Sequence, residues 1–417
     1  MKRTAVVCAG QGTQYVSMGR ELVEAYPAAA RVFDEANDAL GFDLRSLCFS
    51  GDLDELTRTD NAQPAILTVS YAMAQALFDD SGIYPAVLAG HSLGEYTALV
   101  CSGAMQFADA VRIVRKRGQL MQAAATGPSG MAAVVGSNTA YVEEVCRAVS
   151  SPDEVVVISN DNSSKQLVIS GHLAALDRAT DALVSDGMFV ERLKVSAPFH
   201  SPYMKSAAEA LAQELAGYTF SDLQVPVIAN TTAQPYAGKE SIVGNLTAQL
   251  SSRVRWTETM AYLESLRISA LVEIGPKQVL ANLMRSEKPL IRSFAMDIAA
   301  DREAWADYRV PTLDEVSLIG RCLAVAVCTR NHNFDDEQYR RGVIEPYNEI
   351  KALQDFLELE QRLPDRQDSM RALLLLKTIL DTKGTPPEEQ RSRVVQITQE
   401  TGTYGSLRTD LQTAGLL

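Results

Sequence analysis

The apolar run Ala86-Val87-Leu88-Ala89 passes directly into Gly90-His91-Ser92-Leu93-Gly94 and then into Glu95-Tyr96-Thr97-Ala98-Leu99. A strand, a turn with glycines two residues either side of a serine, and a helix in that order leave few folds open. Glycine at those places lets strand and helix pack around a strained turn, and the serine stands out at its tip. The amide of Leu93 then lies close to the hydroxyl. Flexible loops carry the same string by chance, so chemistry here needs partners elsewhere in the chain.

A serine hydroxyl is a poor nucleophile until a base takes its proton. The chain holds 4 histidines to serve as one: His91, His172, His200 and His332. His91 sits inside the turn, where its side chain points away from that of the serine. His172 follows Ser170-Gly171 and opens a helical pattern through Leu173, Leu176, Ala179 and Leu183, which reads as a solvated helix start. His332 lies in the polar stretch Thr329–Asn333 and reads as surface. His200 ends a strand-like run over Phe189–Val195 and follows Ser196-Ala197-Pro198-Phe199, a turn that stops regular structure. A histidine on such a turn faces a cleft readily, so His200 is the expected base.

Near the start, Thr4–Cys8 reads as a buried strand leading into Ala9-Gly10-Gln11-Gly12-Thr13-Gln14. Glycines flanking a glutamine expose backbone N–H groups that can face a developing oxyanion. An ordinary glycine turn fits the same residues. Over Asp109–Met121 the spacing predicts a helix with Val111, Val114, Gly118 and Met121 on one face. Arg117 falls on that apolar side. A buried guanidinium needs an anionic partner, and either a structural carboxylate or a ligand carboxylate would serve.

Together these segments resemble the malonyl-CoA:acyl carrier protein transacylases and the acyltransferase domains of polyketide synthases. The resemblance covers roughly residues 1–290. It rests on GQGTQ at Gly10–Gln14, NAQPAIL at Asn61–Leu67, GHSLGEYTAL at Gly90–Leu99 and RGQLM at Arg117–Met121. It continues through SAPFH at Ser196–His200, QLSSRVRW at Gln249–Trp256 and EIGPKQVL at Glu273–Leu280. The fold it implies is α/β: an α/β-hydrolase-like large subdomain with a parallel sheet, an inserted ferredoxin-like small subdomain and, in this chain, a helical C-terminal extension.

Carried over residue by residue, the resemblance makes Ser92 the acylated nucleophile and His200 the general base and acid. The amides of Gln11 and Leu93 would form the oxyanion hole. Arg117 would hold the free carboxylate of a malonyl group, with Gln63 lining the acyl pocket and His91 beside the substrate. Backbone carbonyls near Gln249 would orient the histidine in place of a triad acid. Phe199 resembles the malonyl-selective form of its motif, since a ring there crowds an α-methyl branch. Two departures are Cys8-Ala9, where the family has a bulkier residue and proline, and Arg253, where proline is common. Neither removes a reacting group.

The implied reaction is ping-pong transfer of malonyl from malonyl-CoA to the phosphopantetheine thiol of an acyl carrier protein, with no bound cofactor. A free-standing enzyme of this kind would serve fatty acid synthesis or a polyketide synthase module. An acyl hydrolase of the same fold, clearing acyl groups from carriers, is the alternative, and a docking scaffold with a vestigial site is a third reading.

Composition agrees. The net charge of −13 argues against nucleic acid as a partner. No apolar run reaches about 18 residues, so no membrane span is expected. Met1-Lys2-Arg3 runs straight into the first strand, unlike a signal peptide. The 6 cysteines lack metal or disulfide spacing, which suits a reducing cytoplasm. An acidic carrier would need a local basic patch, for which Arg112, Arg115 and Lys116 are candidates; a plain solvated helix face fits them equally.

Residues 1–125 and 200–291 are expected to form the large subdomain, with strands at Val225–Asn230 and Ala270–Ile274. Residues 126–199 should form the small one, in the order strand Met131–Val135, helix Ala140–Val149 and strand Val155–Asn160. A turn at Asp161–Ser164 follows, then strand Gln166–Ser170, helix Leu173–Ser185 and strand Phe189–Val195. That βαββαβ order is ferredoxin-like. It places the cleft between the subdomains. Residues 300–417 are richer in charge, with helical spacing over Leu313–Val327, Ile350–Leu363 and Met370–Leu380. Pro386-Pro387 reads as a helix start, and Gly402–Leu417 as a frayed tail. This region either packs on the catalytic body or docks a synthase partner.

Overall fold

The computed structural model describes residues 3–81, 85–136, 138–193, 195, 197–309 and 317–417. Ser196, part of the strand end at Lys194, and residues 313–316 of the expected helix lie outside them. The chain forms two compact units. One comprises Thr4–Ala76 and Pro85–Arg302, the other Met1–Arg3, Leu77–Tyr84 and Glu303–Leu417.

In chain order the strands of the larger unit are β1 (Thr4–Cys8), β2 (Val87–Gly90), β3 (Ser129–Val135), β4 (Val156–Ser163) and β5 (Gln166–His172). They continue with β6 (Phe189–Arg192), β7 (Val254–Arg255), β8 (Ala270–Ile274) and β9 (Arg292–Ala295). A parallel sheet runs β2-β1-β8-β9. Strands of such a sheet are covered on both faces and read as unbroken apolar runs. Accordingly every residue of β1, β2 and β8 is buried. Ala5, Val7, Ala89 and Leu271 share one core with Trp256 and Leu280. The fourth strand, β9, lies beyond residue 291, and this unit runs on to Arg302.

The other sheet runs β6-β3-β5-β4-β7. Strands β3 to β6 pair antiparallel in the split βαβ order. The helices Thr139–Val149 and Leu173–Ser185 cover it through Val142, Cys146, Leu176 and Leu183. At its edge, β7 pairs parallel with β4, so a two-residue strand from the later chain joins this sheet.

Three expectations for local structure need correction. β4 continues to Ser163 through the turn expected at Asp161, because Asp161 and Ser163 still pair with Leu167 and Gln166. β6 stops at Arg192. The expected strand Val225–Asn230 reduces to isolated bridges of Val227 to Leu88 and of Ile228 to Pro235.

In the smaller unit, the helices Leu318–Cys328, Glu345–Leu359, Arg366–Thr382, Pro387–Glu400 and Tyr404–Thr413 surround a common core. Ile319, Ile350, Leu376, Ile379, Ile397 and Leu411 are wholly buried in it. Asp365 begins the Arg366–Thr382 helix with a reciprocal capping box to Asp368. The tail is not frayed: Leu407, Leu411 and Leu416 are buried, and that burial holds the Tyr404–Thr413 helix in place.

Candidate active site

The strand–serine–helix turn owes its shape to its glycines. A Cβ at Gly90 would lie 2.0 Å from the carbonyl of Gly94, and one at Gly94 would lie 2.1 Å from the carbonyl oxygen of Cys8 on β1. Strand β2, strand β1 and the Gly94–Cys101 helix therefore approach more closely than any side chain allows. Ser92 sits between them at φ 51°, a left-handed conformation that non-glycine residues hold only when their surroundings enforce it. Gly10 is pressed against the same turn, since its Cβ would fall 2.5 Å from His91 O.

His200 also has a positive φ, 56°. Its Nε2 lies 2.7 Å from Ser92 Oγ, and its Nδ1 lies 2.7 Å from the main-chain oxygen of Gln249. A carbonyl can only accept, so Nδ1 carries the proton and Nε2 is left to accept the serine hydroxyl. Burial, reinforced by the Arg117 charge, pushes the imidazole down to about 3, while the bond to Gln249 opposes the shift. The ring is therefore neutral, as a base must be.

Arg117 is 1% exposed. Its Nη1 donates to Gln63 Oε1 at 2.8 Å. Its Nη2 donates to Gln249 Oε1 at 2.9 Å and to Ser92 Oγ at 3.1 Å, and the guanidinium carbon lies 5.3 Å from the centre of the Tyr96 ring. Among the described residues no carboxylate forms an ion pair with it, and its Nε has no hydrogen-bond partner. The structural-carboxylate option left open by the helix spacing is not what the structure contains. A cation held by neutral oxygens beside a nucleophile suits an anionic ligand.

The N–H groups of Gln11 and Leu93 donate to no acceptor among the described residues. The Gln11 side chain is anchored by donating to Thr59 Oγ1 at 3.2 Å and by accepting from Gln63 Nε2 at 3.5 Å. Phe199 is buried immediately before His200. His91 turns away from the hydroxyl: its Nε2 lies 2.8 Å from Asn162 Oδ1 on β4, and its ring makes a T-shaped contact with Trp256, 5.6 Å between centroids. His172 caps the Leu173–Ser185 helix, accepting from Ala174 N at 3.3 Å, and His332 is exposed.

Of the basic trio, Arg115 is not available as a patch. It is paired with Asp60 at 3.1 Å and bonded to Asn61, while Arg112 pairs with Asp109 at 3.2 Å. Lys116 is exposed. Arg253, one of the departures from the family pattern, is bonded to Glu143 at 2.9 Å.

Sequence reasoning missed Glu95, Asn230 and Tyr236. Asn230 Oδ1 accepts the Ser92 N–H at 2.7 Å, and its Nδ2 donates to Gly90 O at 2.7 Å, clamping both arms of the turn. Glu95 accepts from Tyr236 OH, from Asn230 N and from Gln249 Nε2. The only signal available was a charged residue on an otherwise apolar helix start, Gly94–Cys101. Its partners lie more than 130 positions away.

Comparison with known proteins gives the family. The family model described as the acyl transferase domain matches residues 5–294. A Bacillus subtilis protein named malonyl CoA-acyl carrier protein transacylase is 36% identical over 395 residues, 94% of this chain and 99% of its own. A match of that length takes in most of the helical region beyond Arg302. The crystal structure of a malonyl-CoA:acyl carrier protein transacylase from Xanthomonas oryzae superposes with a TM-score of 0.72 at 39% identity, covering 74% of this chain and 98% of that one. A malonyl-transacylase solved with a type II polyketide synthase acyl-carrier protein gives a TM-score of 0.71 at 36% identity, covering 74% and 100%. With its serine turn, its histidine and its matching length all accounted for, the chain belongs to the acyl transferase domain family.

Proposed function

We propose that the protein is a malonyl-CoA:acyl carrier protein S-malonyltransferase. The observation that carries this reading is the buried Arg117 guanidinium, held by Gln63 and Gln249 within 3.1 Å of Ser92 Oγ and paired with no internal acid among the described residues. Ser92 attacks the thioester carbonyl of malonyl-CoA while His200 takes the hydroxyl proton. The amides of Gln11 and Leu93 receive the developing oxyanion, each worth on the order of 3 kcal/mol in the barrier. Coenzyme A leaves with the proton from His200, giving a malonyl-serine ester. The phosphopantetheine thiol of a carrier protein then attacks that ester and the steps reverse. Coenzyme A and phosphopantetheine enter as parts of the substrates, and the scheme uses no other cofactor.

Arg117 binds the malonyl carboxylate, a charge-assisted contact worth about 1.5–3 kcal/mol over a neutral acyl group. Gln63 fixes one edge of the guanidinium, Gln249 fixes the other and orients His200, and His91 lines the site from the side of β4. Phe199 crowds an α-methyl branch, a discrimination limited to about 1–3 kcal/mol. The hydrolase alternative calls for a neutral acyl pocket, and the buried cation argues against it. We assign residues 1–125 and 200–302 to the catalytic subdomain, 126–199 to the small subdomain and 303–417 to the helical extension. The free cysteines and the coenzyme A substrate support a cytoplasmic enzyme serving polyketide or fatty acid assembly.

The test incubates the protein with malonyl-, methylmalonyl- and acetyl-CoA, with and without a carrier protein. Malonyl transfer that requires the carrier supports the reading. Carrier-independent release of free acid, or equal use of acetyl-CoA, overturns it.

A further inference from the structure

Glu95 is a carboxylate with no exposed surface, three residues after the nucleophile, and the reaction above does not use it. Both of its oxygens are engaged. Oε1 accepts from Tyr236 OH; Oε2 accepts from Gln249 Nε2 at 2.6 Å and from Asn230 N at 3.1 Å. None of these donors is a cation. Arg117 is reached through the Gln249 side chain, which turns its Nε2 to Glu95 and its Oε1 to Arg117 Nη2 at 2.9 Å. The Gln249 carboxamide is thus held between an anion and a cation, its Nε2 donating also to Ser92 O at 2.9 Å, and these neighbours together set which way it faces. Were it reversed, its NH₂ would meet the guanidinium and its oxygen the carboxylate, donor against donor and acceptor against acceptor.

We propose that Glu95 is a positioning residue for acyl selection: acting through the Gln249 carboxamide, it holds Arg117 in place while leaving the guanidinium free of any direct ion pair. A carboxylate in direct contact with Arg117 would occupy the fork that a substrate carboxylate needs. Set one amide away, it balances the buried charge without filling the site. The same carboxylate holds Asn230, whose Oδ1 takes the Ser92 N–H, so nucleophile and cation are referred to one anchor. The charged and titratable groups around Glu95 are Arg117, Tyr96 and Tyr236. Burial outweighs the bonds from Tyr236, Gln249 and Asn230 and the Arg117 charge, so the Glu95 carboxyl is raised to about 7.

The proposal rests on the malonyl reading, and the experiment separates the two. Ratios of kcat/KM for malonyl-CoA over acetyl-CoA are measured for the wild type, Glu95→Gln, Gln249→Leu and the double variant, with Tm recorded for each. If the wild type shows no preference for malonyl-CoA, the malonyl reading fails before Glu95 is in question. If the preference is present, Glu95→Gln is expected to reduce it about tenfold, mainly through KM for malonyl-CoA. Gln249→Leu should reduce it similarly, and the double variant no more than the worse single one. A ratio unchanged in Glu95→Gln, or reductions that multiply in the double variant, overturns the proposal. Should Glu95→Gln not fold, Tyr236→Phe, which frees one carboxylate oxygen, must lower the same ratio in the same direction; an unchanged ratio overturns the proposal equally.

Discussion

At residue scale, the chemistry depends on one oxygen with two neighbours. Ser92 Oγ lies 2.7 Å from an imidazole nitrogen and 3.1 Å from a guanidinium nitrogen, so in the proposed mechanism it gives its proton to the first while the second holds the malonyl carboxylate. Replacing Arg117 by alanine should therefore lower kcat/KM for malonyl-CoA about 10- to 150-fold and leave acetyl-CoA the better substrate; unchanged malonyl preference in steady-state kinetics would refute the role. The pH dependence follows from His200. Its folded pKa is depressed, so the neutral base persists below the ordinary imidazole value and is lost only as pH falls toward about 3. The acid limb of Ser92 modification by a sulfonyl fluoride should thus lie well below pH 6.5, the usual histidine value. In Arg117→Ala it should move upward, because one of the two main causes of the depression is gone. The places of Ser92, His200 and Arg117 were legible in sequence because each carries its signal locally, in a glycine-flanked turn, a turn after a strand and a polar residue on an apolar face; what Arg117 pairs with was left open by that spacing. Glu95, Asn230 and Tyr236 were not legible, since what marks them is a mutual contact among segments near residues 95, 230 and 249.

At the scale of elements, close approach of backbones decides the geometry. Gly94→Ala would push a methyl into the carbonyl oxygen of Cys8, 2.1 Å from the ideal Cβ, and part β1 from the Gly94–Cys101 helix. The expected cost is about 1–3 kcal/mol or more, with loss of Ser92 acylation; denaturant unfolding and intact mass check both. The strands of the parallel sheet were readable because burial on both faces forces continuous apolar runs. Val225–Asn230 looked similar, but Pro226 has no N–H to give a ladder and the pairing stops at isolated bridges. The opposite error occurred at Tyr404–Thr413. Its apolar residues, Leu407 and Leu411, are too few to advertise a helix, and only the core they enter makes it one. The pairing of Arg115 was hidden for a related reason: its partners Asp60 and Asn61 lie on another helix.

For the whole molecule, the reacting groups all belong to the unit of Thr4–Ala76 and Pro85–Arg302, whereas the helical unit has a core of its own. Leu376→Ala, deep in that second core, should cost the helical unit about 2–5 kcal/mol while Ser92 acylation persists. Hydrogen exchange of the Arg366–Thr382 helix would report the first effect and intact mass the second. The measurement that bears most directly on the central claim is intact mass after brief exposure to an equimolar mixture of malonyl-CoA and acetyl-CoA. The wild type should gain one malonyl unit, lose it when a carrier protein bearing free phosphopantetheine is added, and gain nothing as Ser92→Ala. An adduct that survives in Ser92→Ala, or a wild type carrying acetyl in preference to malonyl, would contradict the account.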